Sequence, residues 1–176
     1  MSSGVGMTSS ELNMRAMLTT IRTTEGHGTS TAYDVKYGGA KFTDNSDHPG
    51  GGTFTEKQKD GTTKEVYHSP AGAYQITEGT YNLYKDKAGV SDFSPTSQDK
   101  VAVSIIEGQK GAYSSVVNGN VETSFQLLKS QWSSLPGATD PGMSLGAAKK
   151  TYQNTIVNEL QGQTNLATPQ GELLKR

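Results

Sequence analysis

The sequence predicts an α+β domain, a mainly helical body with a small antiparallel β hairpin as a second lobe. Three observations predict it. Apolar residues recur at helical spacing in the N- and C-terminal parts, the stretch from Tyr33 to Tyr74 is short-segmented and turn-rich, and 176 residues are the length of one domain with one core.

In chain order, Thr8 and Glu11 have the spacing of a capping box, and a helix over Ser9 to Glu25 follows. Met14, Met17, Ile21 and Glu25 fall on one stripe of that helix with Leu18 beside it, and Gly26 and Gly28 supply the permissive backbone that ends it. The segment "TFTEKQKDGTTKEVYHS" reads as two strands around Asp60-Gly61, a hairpin signal; a two-stranded ribbon is marginal alone, so it is expected to pack on the helical body. "AYQITEGTYNLYKDKAG" reads as a helix ending near Gly89, and Ser94-Pro95 opens the next as cap and first helical residue. Val121, Phe125, Leu128 and Trp132 define a further core-facing helix, and residues 144–160 a weaker last one. The expected organisation is a flexible arm over 1–8, a single domain over 9–160 and a loosely held tail over 161–176.

A formal net charge of −1 provides no basic field toward nucleic acid or an anionic membrane surface. The absence of cysteine excludes disulfides and thiolate chemistry. No run of apolar residues is long enough to span a bilayer, and "MSSGVGMTSS" has neither the basic cluster nor the apolar run of a secretory signal. If the protein acts outside a cytoplasm, another agent is expected to deliver it.

Glu25 is the residue that points to chemistry. A carboxylate on an apolar stripe loses water, and the negative end of a helix disfavours its ionised form, so both effects hold a proton on it. A carboxylic acid still protonated near neutral pH is what glycosidic cleavage needs, to protonate the leaving sugar oxygen. The competing reading is a glutamate at a fraying helix end that points into solvent.

After Glu25 come, in order, "YDVKYGG", "FTDNSDHP", "GAYQI", "DFSPTSQD" and "SLPGA". This series, from Leu12 to Ala138, resembles the phage lambda endolysin family of peptidoglycan lytic transglycosylases. The resemblance implies a lysozyme-like α+β fold, with a cleft between the helical body and the small sheet and the catalytic acid at the end of the first helix, where Glu25 stands. It further implies cleavage of the β-1,4 bond between N-acetylmuramic acid and N-acetylglucosamine, with the muramoyl C6 hydroxyl in place of water and a 1,6-anhydro product. An internal hydroxyl already held beside the reacting carbon has a high effective molarity, so one glutamate, first acid and then base, can suffice.

Tyr33 and Asp34 match the family's Tyr-Asp pair, which would orient substrate or brace the cleft; Asp34 reads equally as an aspartate fixing a turn, and it is the partner carboxylate to consider. Gly72, Tyr74 and Gln75 in "SPAGAYQIT" match the glycine-x-x-glutamine-isoleucine pattern of wider transglycosylase families. Tyr74 offers a ring face and a hydroxyl to a sugar or packs in the core, and Gln75 offers a donor and an acceptor to sugar hydroxyl or acetamido groups. The 48–69 segment is longer than the family pattern, and the positions after Glu25 read "GHGTSTA" in place of a more basic loop. Residues beyond Ala138 resemble the family only weakly.

Asp44, Asp47, His48 and His68 have no metal-site spacing, and "DNSDHPGGG" reads instead as a turn held by Asp and Asn side chains; no metal or cofactor is expected. His27 is placed near Glu25 by sequence alone, and Trp132 reads as core. No G-x-S-x-G elbow supports acyl transfer. The expected partner is the peptidoglycan glycan strand, with no nucleic acid and no membrane insertion. The chain is expected to act as a monomer in the periplasm and cell wall, either held in a host cytoplasm until release or carried on the virion. A hydrolase using water and a non-catalytic wall-binding phage module are the alternatives.

Overall fold

The computed structural model describes residues 6–175; the arm expected over 1–8 falls mostly outside them. In chain order come α1 (Ser9–Thr24), a single 3₁₀ turn (Ala32–Asp34), β1 (Gly52–Lys57), β2 (Thr63–His68), α2 (Glu78–Ala88), α3 (Pro95–Gly108), α4 (Ala112–Val117), α5 (Val121–Leu128) and α6 (Leu145–Leu160). The α+β class holds. α4 is a helix that the apolar spacing does not reveal.

α1 is the central helix, with α3, α4 and α6 packed on it. Thr8 caps it, its Oγ1 accepting the Glu11 N–H at 3.1 Å. The reciprocal half of the capping box does not form: Glu11 Oε1 accepts instead from the backbone N–H groups of Gly171 and Leu173, at 2.9 and 3.1 Å. Burial is not confined to the Met14–Met17–Ile21 stripe, since Arg15, Thr20 and Arg22 are also fully enclosed. A buried charge is tolerable only when paired and fully hydrogen-bonded. Arg15 accordingly donates to Glu159 Oε2 at 2.8 Å, to Thr164 Oγ1 at 2.8 Å and to the Thr168 carbonyl at 2.8 Å.

Those partners correct the reading of the C-terminal tail. Residues 161–175 are docked, with Leu166, Thr168 and Leu173 buried. Thr168 donates through both its N–H and its hydroxyl to Asp99 Oδ2 on α3, at 2.9 and 2.7 Å. Polar composition suggested a loose end; buried charges on α1 and α3 need those very polar groups as partners.

β1 and β2 pair antiparallel with Gly52 opposite His68 and Lys57 opposite Thr63. The loop between them turns on Gly61 at φ +86°, and Asp60 Oδ1 accepts from the Thr62 N–H at 2.9 Å. The ribbon's ring contacts run to the irregular 34–42 segment, with Tyr37 stacked on His68 and edge-on to Phe54, and Tyr67 donates to Glu78 Oε2 at 3.2 Å at the start of α2. Its anchor is thus chiefly that segment.

α2 begins later than the sequence suggests. Thr77 caps it, accepting from the Thr80 N–H at 3.2 Å, and residues 72–75 form a tight turn closed by reciprocal Ala71–Ile76 backbone bonds of 3.0 and 2.9 Å. Gln75 adopts φ +50°, which no helix allows. α3 starts as expected at Ser94-Pro95, and α6 follows a Ser144 cap. Trp132 lies beyond α5 but is a core residue, its Nε1–H donating to the Tyr74 carbonyl at 3.0 Å. Among the described residues no helix is long and apolar enough to cross a membrane.

Candidate active site

The site is built at the C-terminal end of α1. Glu25 caps the helix with near-helical backbone angles (φ −76°, ψ −3°), and its N–H still donates to the Ile21 carbonyl at 3.0 Å. Its side chain is half-buried and bonded: Ser134 Oγ lies 2.6 Å from Glu25 Oε1. The fraying-end reading therefore fails.

Ser134 is buried and belongs to a loop over residues 133–142 that folds back over the end of α1. The loop is closed by Gly142 N–H donating to the Ser134 carbonyl at 2.8 Å, and a Cβ on Gly142 would lie 2.1 Å from the Thr24 carbonyl oxygen. Only glycine permits that approach, which fixes the distance between this loop and the helix end.

The Glu25 carboxyl is held above the ordinary carboxylate range, chiefly by desolvation and further by the negative charge of Asp140, while the Ser134 hydrogen bond opposes the shift. The group is therefore biased to keep a proton and yet has a ready donor for its ionised form. Asp140, not Asp34, is the carboxylate that Glu25 feels.

The loop after Glu25 is ordered from below by Arg22, which donates to the His27 carbonyl at 3.2 Å, to the Asn165 carbonyl at 2.6 Å and to the Thr29 carbonyl. Its guanidinium carbon stands 4.4 Å from the centre of the Tyr33 ring. His27 is partly buried, and burial, reinforced by Arg22, pushes its imidazole below the usual range.

The other sequence candidates divide. Tyr33 and Tyr74 are both buried, and both hydroxyls donate to Asp99 Oδ1, at 2.7 and 2.6 Å. Tyr74 is fully enclosed and offers no ring face to a sugar, which corrects its reading as a substrate contact; Tyr33 is a brace. Gly72 (φ +77°) is required by packing, because a Cβ there would fall 2.1 Å from Gln98 Oε1. Gln75 is partly exposed, but its amide donates to the Val35 and Gly72 carbonyls at 3.1 and 2.8 Å, so it ties the turn to the 33–36 segment. Asp34 is partly exposed and pairs with Lys41 at 3.6 Å.

The four residues considered and rejected as metal ligands are otherwise engaged. Asp44 accepts from the Ser46 N–H at 2.9 Å, Asp47 from the His48 N–H at 2.8 Å, and His68 pairs with Glu56 at 2.5 Å. His48 accepts the Gly50 N–H at Nδ1 (3.0 Å), and its Nε2 lies 2.7 Å from the Ile76 carbonyl, so it is the neutral tautomer with hydrogen on Nε2.

Ser134, Asp140 and Thr24 were not singled out by sequence reasoning. Ser134 opens the "SLPGA" stretch, yet nothing in its spacing, 109 residues from Glu25, marks it as a partner.

A half-buried acid at the end of a central helix, in a helical body with a small antiparallel sheet, is a lysozyme-like arrangement. Residues 15–158 match the family model described as Endolysin, and the chain belongs to that family. The match continues past Ala138, the limit of the motif series. The chain is 35% identical over 115 residues to the endolysin of Escherichia phage lambda, covering 65% of each, and 32% identical over 103 residues to that of Escherichia phage P2, covering 55% of this chain and 57% of the relative. These alignments thus span less than two thirds of either relative. In solved structures the fold resembles bacteriophage lambda lysozyme complexed with a chitohexasaccharide, with TM-score 0.68, 28% identity, and coverage of 87% of this chain and 96% of that one.

Proposed function

We propose that this chain degrades peptidoglycan as a lytic transglycosylase, cutting the β-1,4 bond between N-acetylmuramic acid and N-acetylglucosamine with Glu25 as sole acid and base. The single observation that carries this reading is the Glu25 carboxyl: half-buried at the negative end of α1, biased toward its protonated form, and bonded to Ser134 at 2.6 Å. Membership of the endolysin family and the likeness to a lysozyme solved with a chitohexasaccharide support a glycan substrate.

Glu25 gives its proton to the glycosidic oxygen as the C1–O bond breaks. The muramoyl C6 hydroxyl then attacks C1, and its proton passes to the Glu25 carboxylate, which restores the acid and leaves a 1,6-anhydro ring. The protein is read as a monomer made in the host cytoplasm that acts on the wall after release.

Mass spectrometry of products from purified sacculi, with Glu25→Gln in parallel, tests this. Anhydro-ended fragments that vanish in the variant are expected. Reducing-end products would make the enzyme a hydrolase, and sacculus binding without products would make it a wall-binding module.

A further inference from the structure

Three oxygen–oxygen contacts run in a line from the Glu25 carboxyl into the protein. Glu25 Oε1 lies 2.6 Å from Ser134 Oγ, Ser134 Oγ lies 2.9 Å from Thr24 Oγ1, and Thr24 Oγ1 lies 2.8 Å from the Ile21 carbonyl. Two hydroxyls carry only two hydrogens, so three contacts cannot all be hydrogen bonds unless the carboxyl supplies the third. The Ile21 carbonyl already accepts the Glu25 N–H at 3.0 Å and does not depend on Thr24.

Two directed arrangements follow. In one, Thr24 donates to Ser134 and Ser134 donates to Glu25 Oε1, which suits a carboxylate or an acid whose proton is on Oε2. In the other, a proton on Oε1 is donated to Ser134, Ser134 donates to Thr24, and Thr24 donates to Ile21. Switching requires two hydroxyl rotations and no movement of heavier atoms.

We propose that Ser134, backed by Thr24, is a positioning pair that reverses the direction of its hydrogens and so holds one Glu25 orientation in both protonation states. This rests on the reading of Glu25 as acid and then base: a donor fixed in one direction would hold the carboxylate but not an acid whose proton sits on Oε1, whereas the reversible pair holds both. Neither hydroxyl exchanges a proton with substrate. Thr24 and Ser134 are both buried, which keeps water from replacing either of them. The charge that acts on Glu25 is that of Asp140 on the 133–142 loop, while Arg22 on α1 is committed to the loop carbonyls and acts on His27.

The test compares Ser134→Ala, Thr24→Val, the double variant and Thr24→Ser, with thermal unfolding to confirm that each is folded. It measures kcat and KM on soluble peptidoglycan strands. It also follows the Glu25 carboxyl by carbon-13 NMR titration, the resonance being assigned by its loss in Glu25→Gln. Ser134→Ala is expected to lower kcat by roughly 10- to 100-fold with KM little changed, and to move the Glu25 midpoint upward. Thr24→Val should shift both in the same directions by less, Thr24→Ser should behave as wild type, and the double variant should be no worse than Ser134→Ala. Additive losses in the double variant, or a Glu25 midpoint indifferent to Ser134→Ala, would overturn the pair. If Glu25→Gln has by then lost cleavage, the acid assignment survives that result; cleavage retained by Glu25→Gln removes the assignment and the pair's catalytic role together.

Discussion

The Tyr74 hydroxyl donates to Asp99 Oδ1 at 2.6 Å, with both residues fully buried. Asp99 takes three further donors, from Tyr33 and twice from Thr168, so one carboxylate joins the turn before α2, the 3₁₀ turn and the C-terminal segment. Burial and the Asp99 charge push both phenols well above their ordinary range, so they remain donors at any working pH. Tyr74→Phe removes one donor and leaves the ring. We expect a stability loss of about 1–3 kcal/mol in urea unfolding with KM for glycan unchanged. A selective rise in KM without loss of stability would restore Tyr74 as a sugar contact.

Truncation before Thr164 would remove both donors to Asp99 Oδ2 and the Thr164, Thr168 and Pro169 acceptors of Arg15. Glu11, Arg22 and Glu159 would also lose the Gly171 and Leu173 N–H groups, the Asn165 carbonyl and the Gln170 amide, so five buried charges would lose partners at once. A loss of about 3–5 kcal/mol or more is expected, because an uncompensated buried charge is costly. A truncated chain with an unchanged unfolding midpoint would show that the segment is dispensable.

Asp140→Asn removes a negative charge that raises the Glu25 pKa. The midpoint should therefore fall, and the alkaline limb of the rate–pH profile, which follows loss of the Glu25 proton, should move to lower pH. Raising ionic strength should mimic the change in the wild type, since Asp140 is exposed. A profile identical to wild type would mean that Glu25 does not govern that limb.

Because the folded-state pKa of Glu25 is raised, the unfolded chain releases this proton more readily, and stability falls as pH rises above the unfolded value of 4.5. Glu25→Gln abolishes that cost. At neutral pH the variant should be more stable by up to about 1 kcal/mol, and the advantage should fade in acid. Thermal scans across pH check this; a variant less stable than wild type at neutral pH would contradict a desolvated carboxyl.

The reverse sign applies to His48, whose folded-state pKa burial pulls below the ordinary histidine value of 6.5. Its contribution to stability is complete above that value and is lost as pH falls through the lower folded-state value, because protonated Nδ1 can no longer accept the Gly50 N–H. Stability of the wild type should decline on acidification from near neutral, and His48→Gln should show a flatter decline at the cost of a lower plateau. An equally steep decline in the variant would assign the effect elsewhere, with His27 the first candidate.

Local rules reached much of this molecule from sequence. Caps at Thr8 and Ser94, the Asp60-Gly61 turn and the stripe ending in Glu25 are encoded within a few residues, because a hydroxyl that caps a helix or a glycine that turns a loop acts on its immediate neighbours. The resemblance running through "YDVKYGG" and "SLPGA" reached the lysozyme-like fold for the same reason, each motif being a short piece of backbone with its own geometry.

What composition and periodicity could not reach are the buried polar links across the chain. Arg15, Arg22 and Asp99 look like solvent residues until folding surrounds them, and the tail that gives all three a partner looks loose until those charges require it. Tyr74 is a credible sugar platform in sequence and a core brace in space, because one phenol suits either setting and only its distance from Asp99 separates them. Glu25 could be read as an acid from its place on a helix, but the hydroxyl that holds it comes from a loop more than a hundred residues away, and a contact of that kind exists only once the core has brought the two segments together.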